Sequence, residues 1–382
     1  MRSVRSLFLA VLAMYPGIGR RFWAGVLGIG MIWISGCGSL VAARSSTLLG
    51  ISNPGYPHHT DYLEYQQGRL TEGQLMDRLP HIAMIGDSLS RDFYMSSIPS
   101  MVWRSKMHHR CNWFLDTDAS ANSVYSLYEQ LAQETPLVAC EYSSIGGWVD
   151  SGENRERFLG SWYVFSFSQQ VDLILEEKRF PDLVLIWIGG NNLRWTRSVD
   201  PRRPEEIETG LQKMAANFRE NYTRQLGRLV ERVREQKERR AIIVFGLVNL
   251  KSFFVARDAA EQLRKKNPKL YPYFDAVYQR FESTKLEYRA NMVKLALMYN
   301  EELRAMVGDF NRELGGDSPV HLEYSDALAA IDFSDVEVLQ PIDGWHPSAK
   351  AHNLLAEAAF GALSPSLNFL GIVPLQKNAD LR

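Results

Sequence analysis

Three side chains from two distant stretches of the chain have the types that acyl transfer to a hydroxyl requires: Ser88, Asp343 and His346. A serine hydroxyl is a weak nucleophile until an imidazole takes its proton, and the imidazole needs a carboxylate on its other nitrogen to hold tautomer and orientation. Asp343 and His346 stand three residues apart on a loop entering a helix, so the carboxylate can meet one ring nitrogen while the other faces a serine. Ser88 lies in His81 to Ser90, HIAMIGDSLS, where an apolar run from Ile82 to Ile85 reaches Gly86 and turns. That order puts Ser88 at the carboxyl end of a strand. In open α/β sheets the ligand crevice lies at that edge, and a serine on a tight turn there presents its hydroxyl to it.

The same chemistry needs donors for the oxyanion that develops on the attacked carbonyl. Two glycine-rich stretches follow apolar runs: Gly146-Gly147 after Leu137 to Tyr142, and Gly189-Gly190-Asn191-Asn192 after Asp182 to Ile188. Glycine lets a backbone N–H approach a ligand and an asparagine amide can donate, although Gly and Asn also simply favour turns. The pairs His58-His59 and His108-His109 read as polar loops, where adjacent histidines are usually solvated, so no metal site is expected.

The elements that must position these residues can be read in order. Strands are expected at His81–Ile85, Leu137–Tyr142, Asp182–Ile188, Ala241–Val248 and Val320–Tyr324. The run from Leu183 to Ile188 is continuously apolar, as strands covered on both faces are. Between them the spacing predicts helices: Leu63–Leu79, Arg91–Lys106, Phe165–Lys178, a long one within Pro204–Arg240, Phe281–Leu314, and a final one over Pro347–Leu363. Strand and helix alternate, which argues for a parallel sheet with helices on both faces. The stretch 250–280 is dense in aromatics, and Phe253 and Phe254 have two fates open to them: core under the long helices, or an apolar wall of the crevice for an acyl chain.

Four blocks in this order, Gly86-Asp87-Ser88-Leu89, the glycines after the second strand, Gly189-Gly190-Asn191 and Asp343-Gly344-Trp345-His346, resemble the GDSL, or SGNH, hydrolase superfamily. The resemblance implies an α/β fold, a flavodoxin-like three-layer α/β/α sandwich with a mostly parallel five-stranded sheet. It implies Ser88 as nucleophile, His346 as general base and Asp343 as its orienter. The Ser88 N–H, the Gly147 N–H and the Asn191 side chain would form the oxyanion hole, with Gly146 competing for the place of Gly147. Acyl-enzyme chemistry of this kind uses neither metal nor cofactor. Phe-Pro-Asp-Leu-Val-Leu-Ile running into Gly-Gly-Asn, together with Asp-Gly-Trp-His-Pro-Ser, is similar to the phospholipase B-like branch.

The amino terminus reads as an address. Arg20 and Arg21 precede thirteen apolar residues, Phe22 to Ile34, and these span only about 20 Å as a helix, short for a membrane crossing and right for a signal-peptide core. Ile34-Ser35-Gly36-Cys37 resembles a bacterial lipobox, which makes Cys37 a lipidation site and anchors the exported protein to a membrane of the cell envelope. The expected organisation is a signal peptide over 1–36, a tether and helix over 37–79, a hydrolase domain over 80–365 with an insertion at about 250–280, and a tail over 366–382. In an oxidising compartment Cys111 and Cys140 are either a disulfide or two buried thiols. Net charge is −1, and because the first 36 residues hold four arginines and no acid the remainder is near −5, which excludes a basic field for nucleic acid. Repeats and low-complexity tracts are not evident. The expected partners are the membrane and an ester substrate, whether small molecule, lipid or glycan. The leading expectation is a secreted serine esterase, with an envelope polysaccharide acyltransferase or deacetylase, and a noncatalytic envelope binding module, as alternatives.

Overall fold

The computed structural model describes residues 58–90, 112–115, 124–135, 137–144, 146–150, 156–159, 162–198, 203–271, 286–340 and 344–372. Cys37, Cys111, Asp343 and the helix expected over 91–106 lie outside the described residues.

In chain order the elements are α1 (His59–Gln66), α2 (Glu72–Arg78), β1 (His81–Gly86), α3 (Leu127–Glu134), β2 (Val138–Glu141), β3 (Glu156–Leu159), β4 (Trp162–Phe165), α4 (Phe167–Leu175) and β5 (Leu183–Trp187). A 3₁₀ helix (Gly190–Ser198) follows, then α5 (Pro204–Gln236), β6 (Arg240–Phe245), α6 (Leu250–Lys266), α7 (Leu286–Leu314), β7 (Val320–Ser325), α8 (Ala349–Ala362) and α9 (Ser364–Leu370). The five expected strands are β1, β2, β5, β6 and β7. They form one sheet in the order β2-β1-β5-β6-β7, every pairing parallel.

Strand periodicity divides the core in two. Ile82, Met84, Leu183, Leu185, Trp187, Ile243 and Phe245 face one side with Leu127, Leu131, Leu355 and Ala359 of the covering helices. Ala83, Ile85, Val184, Ile186, Ile242 and Val244 face the other, against Phe167, Val171, Phe218, Leu226 and Leu295. Successive side chains of a strand point to opposite faces, so a run that is apolar at every position must be covered twice. The result is the α/β sandwich of three layers.

Several local expectations are corrected. The helix expected over 63–79 is two, because Gly68 at φ 69° turns the chain between α1 and α2, and Thr71 opens α2 with a capping box to Gln74. A two-stranded antiparallel hairpin, β3 with β4, precedes α4, so Phe165 ends a strand instead of starting a helix. The last expected helix begins after Ser348, whose hydroxyl accepts the Ala351 N–H as its N-cap. Pro347 lies ahead of it and bridges to Leu339. Helical packing continues beyond 365, since α9 buries Ser366 and Leu367. Cys140 is a free thiol, and burial pushes its pKa up to about 12. Among the described residues no helix is long and apolar enough to cross a membrane.

Candidate active site

Strand order reverses between β1 and β5. In open parallel sheets the crevice opens where the connections diverge in this way, outside the carboxyl ends of those strands. Ser88 follows β1 and Asn191 follows β5, so both sit at the reversal. A cavity of about 120 Å³ lies there, and Ser88, Asn191 and His346 all line it. Its walls are otherwise mostly apolar, with Leu89, Trp187, Leu193, Phe253, Met292, Phe333 and Trp345 among them, and Asp87 and Arg194 as the charged members. Trp187 contributes ring surface while its indole N–H is satisfied by the Gly246 carbonyl at 3.1 Å.

The loops that bring these residues together are fastened by buried side-chain amides. Gln170 of α4, 0% exposed, accepts the Gly86 N–H at 3.0 Å and donates to the carbonyls of Gly86 and Phe165, each at 3.0 Å. It therefore finishes the hydrogen bonding of β1 where the ladder stops, one residue before Asp87. Asn192 does the same for the β2 loop, accepting the Val149 N–H at 2.9 Å and donating to the Val149 carbonyl at 2.8 Å. Sequence reasoning placed Asn192 beside the site without a role and missed Gln170. The available signal was a glutamine sharing the apolar face of α4 with Phe167, Val171 and Ile174.

Gly147 is held in a turn. Its N–H closes a turn on the Ser144 carbonyl at 2.9 Å, and Gly146, third in that turn, has φ 74°, the left-handed value a type II turn requires at that position. A Cβ on residue 147 would lie 3.0 Å from the Gly86 carbonyl oxygen and 2.9 Å from Gln170 Nε2. Glycine is needed at 147 because this loop presses on the end of β1. The Gly147 carbonyl in turn accepts Asn191 Nδ2 at 2.9 Å, and the same nitrogen lies 3.3 Å from Asp87 Oδ2.

Asp87 is 4% exposed, and its other oxygen accepts the Leu89 N–H at 2.9 Å across the turn that carries Ser88. Burial pushes its carboxyl up to about 6, against the opposing pull of the Leu89 N–H and of the Arg194 and His346 charges.

His346 lies on a loop closed on itself, with the Gln340 N–H on the His346 carbonyl at 2.7 Å and the Gly344 N–H on the Gln340 carbonyl at 2.8 Å. The two phenylalanines part company. Phe253 lines the cavity and meets the Trp345 ring edge-on at 5.2 Å. Phe254 is 6% exposed, packs in the core under α7 and carries the Arg289 guanidinium 4.9 Å above its ring. Successive residues of a helix point about 100° apart, so α6 cannot turn both rings to the crevice. Among the described residues no group of three or more His, Cys, Asp or Glu could hold a metal ion.

The chain is similar in structure to a lipase, Lip_vut3 from a goat rumen metagenome, at 16% identity and a TM-score of 0.38 over 74% of this chain and 97% of that one. It is also similar to the salicylyl-acyltransferase SsfX3 of a tetracycline biosynthetic pathway, at 14% identity and a TM-score of 0.38 over 78% of this chain and 56% of that one. A search of curated proteins found no match. The model of the GDSL-like lipase/acylhydrolase family matches residues 82–359, from the first core residue of β1 through nearly all of α8. With that match spanning the serine turn, the glycine loops and the histidine loop, the chain belongs to the GDSL-like lipase/acylhydrolase family.

Proposed function

We propose that this protein is a serine hydrolase of carboxylic esters that works through an acyl-enzyme on Ser88. The observation that carries the reading is the shared cavity: Ser88, Asn191 and His346 come from three separate segments and line one mostly apolar pocket at the switch point of the sheet. In the proposed reaction His346 takes the Ser88 proton as Oγ attacks the ester carbonyl, and the tetrahedral oxyanion collapses with loss of the alcohol, which carries that proton away. Water then repeats the sequence and restores the serine. Asp343 orients the imidazole. The Ser88 N–H and the Asn191 amide serve the oxyanion, the latter by giving up its bond to the Gly147 carbonyl. Gly147 serves by holding the loop close, and its own N–H would have to leave the turn to take part.

Substituting Ser88→Ala should lower turnover of p-nitrophenyl acetate and butyrate by roughly 10⁴-fold or more and abolish labelling by a fluorophosphonate probe. Unchanged turnover in a pure sample would refute the assignment, and failure of the wild-type protein to label would favour a noncatalytic module. The same acyl-enzyme can pass its acyl group to a sugar hydroxyl, so transfer of labelled acyl groups to envelope glycan in excess of hydrolysis would make the protein an acyltransferase. A substrate panel should extend to lysophospholipids, as the likeness to the phospholipase B-like branch suggests. Export and anchoring through a lipidated Cys37 belong to the same proposal. Labelled palmitate should enter the wild-type protein and not Cys37→Ala, and wild type alone should fractionate with membranes.

A further inference from the structure

We propose that Arg257 of α6 is a positioning residue for the proposed base, clamping the His346 loop through the Gly344 carbonyl and the face of Trp345. The proposal rests on the reading of His346 above. Arg257 is 0% exposed, and a guanidinium is removed from water at a cost that only hydrogen bonds and favourable partners offset. Its Nη1 donates to the Gly344 carbonyl, and its Cζ stands 5.1 Å from the Trp345 ring centroid, within cation–π range. One turn earlier on the same helix, Phe253 meets that ring edge-on at 5.2 Å. Residues four apart on a helix lie one above the other, so α6 grips Trp345 with both.

The backbone bonds of this loop run between residues 338–340 and 344–348: Gln340 to His346, Gly344 to Gln340, and Ser348 to Val338. They shape the loop without tying it to the wall of the cavity. The bond from Arg257 supplies that tie and sets the plane of a peptide two residues before His346. A planar guanidinium does this in a way that an ammonium cannot, since it directs its N–H groups in a rigid fork and stacks on an aromatic face. Arg257→Lys therefore keeps the charge and loses the direction.

The test uses the full-length protein and two readouts. Arg257→Lys should lower kcat on p-nitrophenyl butyrate on the order of 10²-fold, as a displacement of about 1 Å does, while KM stays within about twofold. Hydrogen exchange at the Gln340 and Gly344 amides should quicken while β1 and β5 exchange at the wild-type rate. Wild-type kcat in the folded variant would overturn the proposal, as would a kcat falling only with the folded fraction while loop exchange is unchanged. Should the lysine variant fail to fold, Arg257→Gln, which removes the charge and is too short to reach the Gly344 carbonyl, carries the same test with an expected loss at least as large, on the order of 10²-fold or more. Retention of turnover in Ser88→Ala would refute the functional reading separately, and the exchange measurement would still decide whether Arg257 holds the loop.

Discussion

The two sides of the cavity are built by different physics. On the side of β1, β2 and β5 the loops are joined by side-chain amides bonded to backbone, with Gln170 on Gly86 and Asn192 on Val149. On the side of α6 and the His346 loop the joints are aromatic and cationic, with Phe253 and Arg257 against Trp345. Hydrogen bonds fix angle as well as distance and are expensive to leave unmade, whereas ring contacts tolerate small shifts. The first side thus suits the proposed nucleophile and the proposed oxyanion donors, whose geometry would have to be fixed. The second suits a wall for the proposed ester, and the Arg257 bond to the Gly344 carbonyl gives the loop it carries the direction that ring contacts alone would not.

Breaking the polar side should have the largest effect. Gln170→Leu removes the partner of the Gly86 N–H and a donor to the Phe165 carbonyl, while the Gly86 carbonyl keeps the Ser144 N–H at 3.1 Å, and at roughly 1–3 kcal/mol for each buried group left unpaired the loss of stability should reach about 4 kcal/mol. Urea unfolding measures it, and a loss no larger than that of a surface substitution would dissolve the contrast between the two sides.

Next comes the charge buried in that side. The Asp87 carboxyl titrates at about 6 in the folded protein against an ordinary 3.8, so the folded state holds the proton more tightly than the unfolded one. Its favourable contribution is complete below about pH 4 and is lost as pH rises through about 6. Asp87→Asn, neutral at every pH, should therefore be more stable than wild type by about 3 kcal/mol at pH 8 and gain nothing at pH 4. A gain that does not depend on pH would assign the effect to packing.

The smallest effect belongs to the aromatic wall. Phe253→Ala should lower kcat/KM on butyryl and longer esters by about tenfold relative to acetyl esters, as loss of apolar contact of that size does. Phe254→Ala should instead lower the melting temperature and lose activity equally on every ester, because its ring packs in the core. If the two variants behave alike, α6 is a structural helix and not a wall.

The sequence was most legible where the signal is local. β1, β5 and β6 declared themselves by apolar runs of about their own length, whereas the β3–β4 hairpin gave no such signal, and alternation with helical spacing sufficed for the parallel sheet. The serine turn, the Gly-Gly-Asn end of β5 and the histidine loop could be ordered along one sheet edge because strand ends in a parallel sheet share a side. What composition and spacing could not separate was Phe253 from Phe254, neighbours of one type on one helix, since only the direction of α6 across the crevice assigns one ring to the cavity and the other to the core. The use of Gly147 was likewise decided in three dimensions, by how closely its loop approaches the Gly86 carbonyl. Gln170 is 84 residues from the glycine it completes and Arg257 is 87 from the carbonyl it holds. Hydrophobic periodicity reports which face of an element is covered, but a buried polar side chain finds its partner only when the whole sheet has brought the two together.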